Sequence, residues 1–193
     1  VGENFTFGKK AAGNVELLRK AGERFGFAVD SVNLVAEHHR DETVTFSSTY
    51  IRSCVDAGDM VTAAEALGRP HRVEGVVVRG DGRGKVLGFP TANLHLGDLI
   101  HPRHGIYAVR ARIDQQGDWL DGVANFGRTP TTGIRDPLLE THIFDFDDDL
   151  YGKWLEVQLV SFIRPELKFD DLDALVEAMH ADAAEARKRL AKR

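Results

Sequence analysis

The sequence predicts a mainly β protein, a six-stranded antiparallel barrel with a C-terminal helix, preceded by part of an α/β domain. Three observations lead to this fold class. Six short apolar segments follow one another between residues 71 and 163, each bounded by Gly, Pro or Asp and without a helix between them. Residues 170–193 have helical periodicity instead, and residues 1–69 alternate between strand and helix patterns. A barrel is favoured because closure removes exposed strand edges.

Composition narrows the functional classes. The 193 residues are 42% hydrophobic, which is enough to fill a core. Acidic residues outnumber basic ones over 1–69 (10 against 8) and over 70–193 (20 against 17), so neither part has the charge of a nucleic-acid-binding domain. The single cysteine, Cys54, cannot form an internal disulfide, and no signal-peptide pattern or long uncharged apolar segment is present. We expect a soluble cytoplasmic protein with no nucleic-acid or membrane partner; the oligomeric state stays open.

Residues 1–43 predict the order strand, loop, helix and strand, followed by a polar loop. The opening residues 1–8 are typical of a strand end that runs into a glycine loop, so we expect the chain to begin inside a domain. Apolar residues at helical spacing predict a helix over residues 14–27, and FAVDSVNLV (27–35) predicts a strand. The polar residues 37–43 that follow are expected to form a loop.

Residues 46–68 predict two short helices. Ser47 or Ser48 suits the N-cap of the first helix, which Gly58 would end, and the second would close near Gly68. With the preceding elements, the first 69 residues are typical of the end of an α/β domain.

The barrel strands and the final helix come from the rest of the chain. The six strand segments are HRVEGVVVR (71–79), TANLHL (91–96), GIYAVRARI (105–113), WLDGVANF (119–126), LETHIFDF (139–146) and WLEVQLVSFI (154–163). The helix that follows has an acidic start and a basic end, which suit the helix dipole. Its apolar stripe consists of Leu172, Leu175, Val176, Met179, Ala183, Ala186 and Leu190. We expect this stripe to pack on the barrel.

A glycine-rich segment, RGDGRGK (79–85), precedes two short polar side chains in GFPTANL (88–94). Its glycines allow a backbone to approach a phosphate, but the GxxxxGK[ST] pattern is absent, and such loops more often only turn a hairpin. Thr91 and Asn93 alternate with apolar residues and should share one strand face. Their oxygens suit Mg²⁺, which prefers few protein ligands together with substrate phosphates. Alternatively, both residues only line a polar strand face.

Other polar residues are weaker candidates for catalytic or metal-binding roles. Glu140 shares a strand face with His142 and could act as a general base for a hydroxyl group, although such a carboxylate more often faces solvent. The acidic run of Asp145 and residues 147–149 is more typical of a solvated turn than of a metal site. The histidine pairs His38/His39 and His101/His104 have no convincing third metal ligand and are interpreted as loop residues.

Taken together, these motifs resemble the riboflavin kinase module that forms the C-terminal half of bacterial bifunctional riboflavin kinase/FMN adenylyltransferases, also called FAD synthetases. The motifs are GVVVRGDGRGKVLGFPTANL, GIYA, ANFGRTPTTG, LETHIFDFDDDLYG and SFIRPELKF, and the resemblance covers residues 70–193. It implies a Greek-key barrel that transfers the γ-phosphate of ATP to the ribityl 5′-hydroxyl of riboflavin and so produces FMN.

The resemblance also implies roles for single residues. Thr91 and Asn93 would meet Mg²⁺ and the phosphates of ATP, and Glu140 would be the general base. Asn125, in ANFGRTPTTG, and Arg164, in SFIRPELKF, would serve the cofactor site; Arg164 is equally suited to a structural ion pair. The nucleotide would be covered by the loop that contains Gly80, Gly82, Gly84 and Lys85. The family usually has Arg at the last of these positions, and Lys keeps the charge but not the bidentate geometry.

Residues 1–69 resemble the adenylyltransferase half of the same family. GENFTFGKKAAGN is similar to its glycine loop, and FSSTYIR to the segment that holds ATP phosphates through Ser47, Ser48, Thr49 and Arg52. No HxGH-type histidine pair occurs in the 193 residues, and adenylyl transfer needs its charge stabilisation. We therefore expect the chain to form FMN but not FAD. The competing hypothesis is a non-catalytic flavin- or nucleotide-binding barrel with a regulatory role. Loss of Thr91, Asn93 or Glu140 would favour that hypothesis, but all three residues are present.

Overall fold

The computed structural model describes residues 1–39, 42–80, 82–127 and 137–191, excluding the side chains of 37–39, 42, 43 and 83. The RTPTTG part of the ANFGRTPTTG motif, residues 128–133, lies outside the described residues. The chain divides into two compact units, residues 1–50 and 51–193. The predicted boundary between two family domains lies later, after residue 69, and stays a prediction.

The first unit contains one helix and two small antiparallel strand pairs. Its elements are β1 (Thr6–Phe7), a 3-10 helix (Lys9–Ala11), β2 (Gly13–Asn14), α1 (Val15–Phe25), β3 (Ala36–His39) and β4 (Glu42–Thr45). β1 pairs with β2, and β3 pairs with β4. The predicted helix is confirmed: Asn14 caps its start by accepting a 2.9 Å hydrogen bond from the Leu17 N–H, and Gly26 ends it with a left-handed φ of 77°.

Two predictions for this unit are wrong. Residues 27–35 do not form a strand and contribute only an isolated bridge between Val32 and Gly2. Their apolar side chains are largely exposed, so no neighbouring surface stabilises an extended pairing there. The polar segment after them forms the β3–β4 pair instead of a loop, and it includes the backbones of His38 and His39. Backbone pairing and the β-branched residues of β4 outweigh the polar composition.

Two helices lead into the barrel, α2 (Ser48–Ala57) and α3 (Met60–Leu67). Ser47 caps α2, since its Oγ accepts a 3.1 Å hydrogen bond from the Tyr50 N–H. Gly58 and Gly68 follow the two helices with left-handed φ values of 79° and 68°, so both predicted ends are confirmed. α3 packs against the barrel strands described next.

All six predicted barrel strands are present. They are β5 (His71–Val76), β6 (Ala92–His95), β7 (Gly105–Ile113), β8 (Gln116–Gly127), β9 (Leu138–Ile143) and β10 (Trp154–Arg164). They form one antiparallel sheet in the order β5-β10-β7-β8-β9-β6. β10 returns beside β7 after the meander β7–β8–β9, which is the Greek-key arrangement. The Val78 N–H bonds the Asn93 carbonyl at 2.9 Å, and this contact brings the two sheet ends close to closure.

The interior of the barrel is apolar, and a helix covers part of its outer face. Fully buried inward side chains include Tyr107, Val109, Phe126, Leu139, Leu155, Val157 and Leu159. The helix α5 (Leu172–Leu190) begins at Asp171, whose Oδ1 accepts a 2.7 Å hydrogen bond from the Ala174 N–H. Ala186 and Leu190 of its predicted stripe pack on Ala108 of β7. The expected packing of the helix on the barrel is confirmed.

One local element differs from expectation. The glycine-rich segment contains a four-residue helix, α4 (Arg83–Val86), where an open loop was expected. The Phe89 N–H bonds the Gly84 carbonyl at 2.8 Å and closes this turn. Across the described part of the chain, no helix has the length and apolar character needed to cross a membrane.

Candidate active site on the outer face of the barrel

A row of side chains crosses the barrel strands beneath α5. Strand register places Asn93 beside Glu140, Glu140 beside Asn125, Asn125 beside Ile106, and Ile106 beside Arg164. Directly opposed residues of paired strands project to the same face. Neighbouring strands are about 4.8 Å apart, so the three steps from Glu140 to Arg164 span about 14 Å. Residues from five strands therefore form one continuous surface.

A cavity of about 280 Å³ lies between this row and α5, and we call it the helix cavity. Its apolar lining includes Ile106, Val123, Leu167, Phe169, Leu175 and Met179. Its polar lining includes Thr91, Asn125, Glu140, His142, Arg164 and Asp182. Leu167, Phe169, Leu175 and Met179 come from α5 and the segment before it, and the other apolar side chains come from the barrel strands and from residues 87–89. Polar side chains line the cavity both near α5 and near β6 and β9.

Glu140 is held in the lining of the helix cavity by the strands on either side. Its sequence neighbours Leu139 and Thr141 point into the core and are buried, which fixes the outward direction of the Glu140 side chain. Asn125 lies directly across on β8, and its Oδ1 is buried without a hydrogen-bond partner in the described part of the chain. A buried amide oxygen of this kind is suited to accept a hydrogen bond from a ligand hydroxyl.

A second cavity of about 350 Å³, which we call the loop cavity, lies next to α4. Lys85, Pro90, Thr91 and Tyr151 contribute to its lining, together with residues 147–149. Thr91 also lines the helix cavity. The two cavities therefore meet at the Thr91 side chain, two residues from the Asn93–Glu140 pair.

Two glycines permit the close approach of the glycine-rich segment to GFPTANL. A Cβ at Gly84 would lie 2.3 Å from the Phe89 carbonyl oxygen, and one at Gly80 would lie 2.5 Å from the Asn93 Nδ2. Both distances are too short for any other residue. Gly82 has a left-handed φ of 70°. The glycines are needed for this packing whether or not the segment binds phosphate.

The predicted site residues do not all lie in one place. Gly84, Thr91, Asn125, Glu140 and Arg164 line the helix cavity. Lys85 lines the loop cavity. Gly80, Gly82 and Asn93 are absent from the described linings of both cavities, and Asn93 is only 5% exposed. Thr91 lines both cavities, and its shared role with Asn93 stays a prediction.

The residues at the junction fit a magnesium ion. The described residues contain no cluster of three or more His, Cys, Asp or Glu side chains that could hold a metal alone. Thr91 lines both cavities, whereas the buried Asn93 amide packs closely against Gly80. Hydroxyl and amide oxygens are of the chemical type that Mg²⁺ takes in small number when phosphates supply the other ligands.

The charged neighbours of the site are mostly engaged elsewhere. Arg164 donates hydrogen bonds from Nε and Nη2 to the two carboxylate oxygens of Asp182, at 2.8 and 2.6 Å. The ion pair that was the structural alternative for Arg164 is thus present. Asp145 pairs with Arg187, whose hydrogen bonds lower the pKa of this carboxyl group. His101 and His104 lie between β6 and β7 as expected, and both rings contact Phe126.

Sequence analysis missed several residues that shape the site. Phe89 lies between two histidines, with ring centroids 5.1 Å from His142 and 4.9 Å from His180 of α5. Asp182 lines the helix cavity although it interrupts the small and apolar stripe of α5. The sequence did contain a signal for this role, because Asp182 places a carboxylate within an apolar stripe. Burial of a carboxylate is favourable only when it has a partner, which here would lie on the barrel.

Comparison with known proteins agrees with this architecture. The family model described as riboflavin kinase matches residues 67–190, and the FAD synthetase model matches residues 1–50. The fold and site define a small antiparallel barrel with two cavities that share Thr91 in their linings. The chain belongs to the riboflavin kinase family.

Similar proteins include two curated bifunctional riboflavin kinase/FMN adenylyltransferases. The protein from Haemophilus influenzae is 38% identical over 97% of this chain and 59% of its own length. The Escherichia coli K12 protein is 39% identical over 97% and 58%. A crystal structure described as a macrolide-efflux protein from Streptococcus pneumoniae has a TM-score of 0.78 and 34% identity, over 96% of this chain and 58% of that one. The chain therefore spans somewhat more than half the length of these relatives.

Proposed function

We propose that this chain phosphorylates riboflavin to FMN with Mg·ATP as the phosphate donor. The observation that carries the proposal is the junction of two cavities at Thr91, beside the Asn93–Glu140 pair. A phosphoryl transfer enzyme needs donor and acceptor in separate pockets that meet at the reacting atoms. Membership of the riboflavin kinase family supports the identity of both substrates.

The helix cavity suits the acceptor. Riboflavin is a long molecule with a flat, largely apolar ring at one end and a hydroxylated chain at the other. The helix cavity offers both kinds of surface, since Phe169, Leu175 and Met179 line it from α5 and the segment before it, and Glu140 and Asn125 line it from β9 and β8. Its length across the sheet, about 14 Å, is sufficient for such a molecule. We therefore assign the ring to the α5 end and the terminal hydroxyl to the Glu140 end.

The loop cavity suits the donor. Lys85, from the glycine-rich segment, supplies a positive charge for phosphate. Thr91 and Asn93 would hold the magnesium ion, which when bound neutralises charge on the phosphates. The acidic residues 147–149 on the same cavity favour the cation-bound form of the nucleotide over free ATP.

Glu140 acts as the general base in this proposal. Its carboxylate accepts the proton of the 5′-hydroxyl while that oxygen forms a bond to the γ-phosphorus of ATP. The bond from the γ-phosphorus to the bridging oxygen breaks, and ADP leaves with the electron pair. Asn125 orients the hydroxylated chain through its unpartnered Oδ1. The site contributes mainly positioning and charge neutralisation.

Residues 1–69 are proposed to belong to an FMN adenylyltransferase domain, supported by the FAD synthetase match over 1–50. A longer protein would then carry FMN onward to FAD. A cytoplasmic location, inferred from the single cysteine, is part of the same proposal.

Product analysis tests the proposed function directly. The purified chain is incubated with riboflavin, ATP and Mg²⁺, and the flavins are separated by chromatography. We expect FMN to form, to depend on Mg²⁺, and to accumulate without FAD. Tight flavin binding without product would favour the non-catalytic barrel. Appreciable FAD would contradict the expectation that these 193 residues lack adenylyl transfer.

A further inference from the structure

Two bidentate arginine–aspartate pairs connect α5 to the barrel. In the first, Arg164 of β10 holds Asp182 of α5 through contacts of 2.8 and 2.6 Å. In the second, Arg187 of α5 holds Asp145, just beyond β9, through contacts of 2.9 and 3.0 Å. The two pairs have the same chemistry and anchor the same helix. They can therefore be compared directly.

The two pairs differ in burial and in what surrounds them. The side chains of the first pair are 22% and 9% exposed, whereas those of the second are 52% and 79% exposed. Only the first pair lines the helix cavity. A charge pair in a partly dry site is stronger and holds a more definite geometry than an exposed one.

These contacts use three of the five N–H groups of Arg164. Its Nε and Nη2 donate to Asp182, and its Nη1 donates to the Pro165 carbonyl oxygen at 2.9 Å. Its guanidinium also lies 5.9 Å from the centre of the Phe169 ring. The Nε–Nη2 edge of Arg164 is therefore occupied by Asp182 and is not offered to a flavin or phosphate. Its position instead determines where α5 and the segment before it lie.

Apolar residues on the same face of α5 as Asp182 line the helix cavity on its α5 side. Met179 and Leu175 precede Asp182 by three and seven residues, so they share its face of α5. Below them, Ile106 is the strand partner of Arg164 and forms part of the floor. A planar ring needs a gap of about 7 Å, twice the optimal carbon–carbon contact distance. The Arg164–Asp182 pair lies where it can hold that gap open at a fixed width.

We propose that Arg164 and Asp182 are positioning residues that set the width of the helix cavity for the flavin ring. This inference rests on the proposed function, because it assigns the ring of riboflavin to the α5 end of that cavity. If the gap is already formed, riboflavin binding does not have to order the protein side chains around the ring, and less binding free energy is lost. The pair therefore affects riboflavin affinity. It lies about three strand spacings, or about 14 Å, from Glu140 and leaves the chemical step unchanged.

Asp182→Asn and Arg164→Lys test the proposal, with Asp145→Asn as the matched control on the exposed pair. Riboflavin Kd is measured without ATP from the quenching of flavin fluorescence, and kcat and both KM values are measured with the Mg·ATP assay. We expect the first two variants to weaken riboflavin binding on the order of tenfold, with kcat and the KM for ATP within about twofold of the unmodified chain. Asp145→Asn should leave riboflavin Kd within about twofold.

A double variant, Arg164→Met/Asp182→Leu, separates positioning from stability. Apolar replacement of a buried charge pair can preserve or raise the unfolding temperature. The proposal expects riboflavin Kd to stay weakened in this variant, because the bidentate geometry is gone. Recovery of the unmodified Kd together with the unfolding temperature would overturn the proposal and leave the pair as a stabiliser only. Equal losses in Asp145→Asn and Asp182→Asn would overturn it as well.

The same measurements distinguish this inference from the proposed function. If the unmodified chain neither binds nor phosphorylates riboflavin, the proposed function fails, and the inference fails with it. If the unmodified chain forms FMN and all pair variants bind riboflavin as it does, only the inference is overturned.

Discussion

The two compact units of the chain differ in how they bury apolar side chains. Among the residues of 1–50 whose burial is described, only Gly13, Val15 and Gly22 are buried, and only Val15 of these has a side chain. Phe25 remains 68% exposed. Two-stranded pairs are marginal by themselves, because they offer no shared apolar face. In residues 51–193, one sheet encloses a continuous core.

The difference places both the stability and the proposed chemistry in the second unit. Its sheet brings residues from five strands into one row and fixes them by register. A catalytic group positioned by a closed sheet is held more rigidly than one on a loop. We therefore expect the barrel alone to support the reaction.

Removal of the proposed base should have the largest effect. Glu140→Gln keeps the shape of the side chain but cannot accept the proton, so kcat should fall on the order of 10² to 10⁴-fold. The KM for ATP and the thermal unfolding temperature should change little. Glu177→Gln, at an exposed position of α5, is the control. A near-normal kcat in Glu140→Gln would remove this residue from the mechanism.

Loss of the amide oxygen at the cavity junction should have an intermediate effect. Asn93→Ala removes one proposed magnesium ligand, so apparent affinity for Mg·ATP should fall about tenfold, with riboflavin affinity changed less. Titration of each substrate against the variant measures both. Asn33→Ala, in the first unit, is the comparison because it changes the same residue type outside the barrel. A defect confined to riboflavin would assign Asn93 to the wrong cavity.

Lowering the pH should reveal a smaller difference between the two units, in how much a paired carboxylate contributes to the free energy of unfolding. Hydrogen bonds from Arg112, with the charges of Arg112 and Arg72, hold the pKa of Glu156 below its ordinary 4.5. This carboxylate therefore stabilises the barrel fully above pH 4.5, and the contribution is lost as the pH falls through the lowered pKa. Lys20 also lowers the pKa of Glu16 in the first unit, but that pair is exposed and should contribute little.

Urea unfolding at a series of pH values measures this contrast. The advantage of the unmodified chain over Glu156→Gln should shrink as the pH is lowered below about 4.5. Glu16→Gln should give a curve parallel to that of the unmodified chain. An equal pH response in both variants would show that the two units do not differ in this respect.

Deletion of residues 1–45 should have the smallest effect on the reaction. The shortened chain keeps Ser47, which caps α2, and the whole second unit. Because the proposed donor and acceptor cavities consist of residues from that unit, kcat and the KM for riboflavin should stay within about twofold of the longer chain. A large loss of activity in a chain that remains folded would show that the first unit contributes to catalysis.

Local sequence patterns predicted much of the fold. The six barrel strands, the cap at Ser47 and the helix ends at Gly58 and Gly68 follow from short-range rules that act within a few residues. The same rules failed over residues 27–45. A strand in that region forms only where another strand pairs with it. The polar strands β3 and β4 pair with each other, whereas the apolar residues 27–35 contribute only an isolated bridge.

The sequence by itself determined the strand class of the barrel, because alternation along one strand is a local property. The shared face of Thr91 and Asn93 stays a prediction, since β6 begins only at Ala92. Only the tertiary structure decided that Glu140 lies between Asn93 and Asn125, since register between distant strands depends on the whole sheet. It also decided that Thr91 borders both cavities and that Arg164 is held by Asp182. These contacts join residues far apart in the chain, and no short-range pattern specifies which of several charged partners the folded barrel brings together.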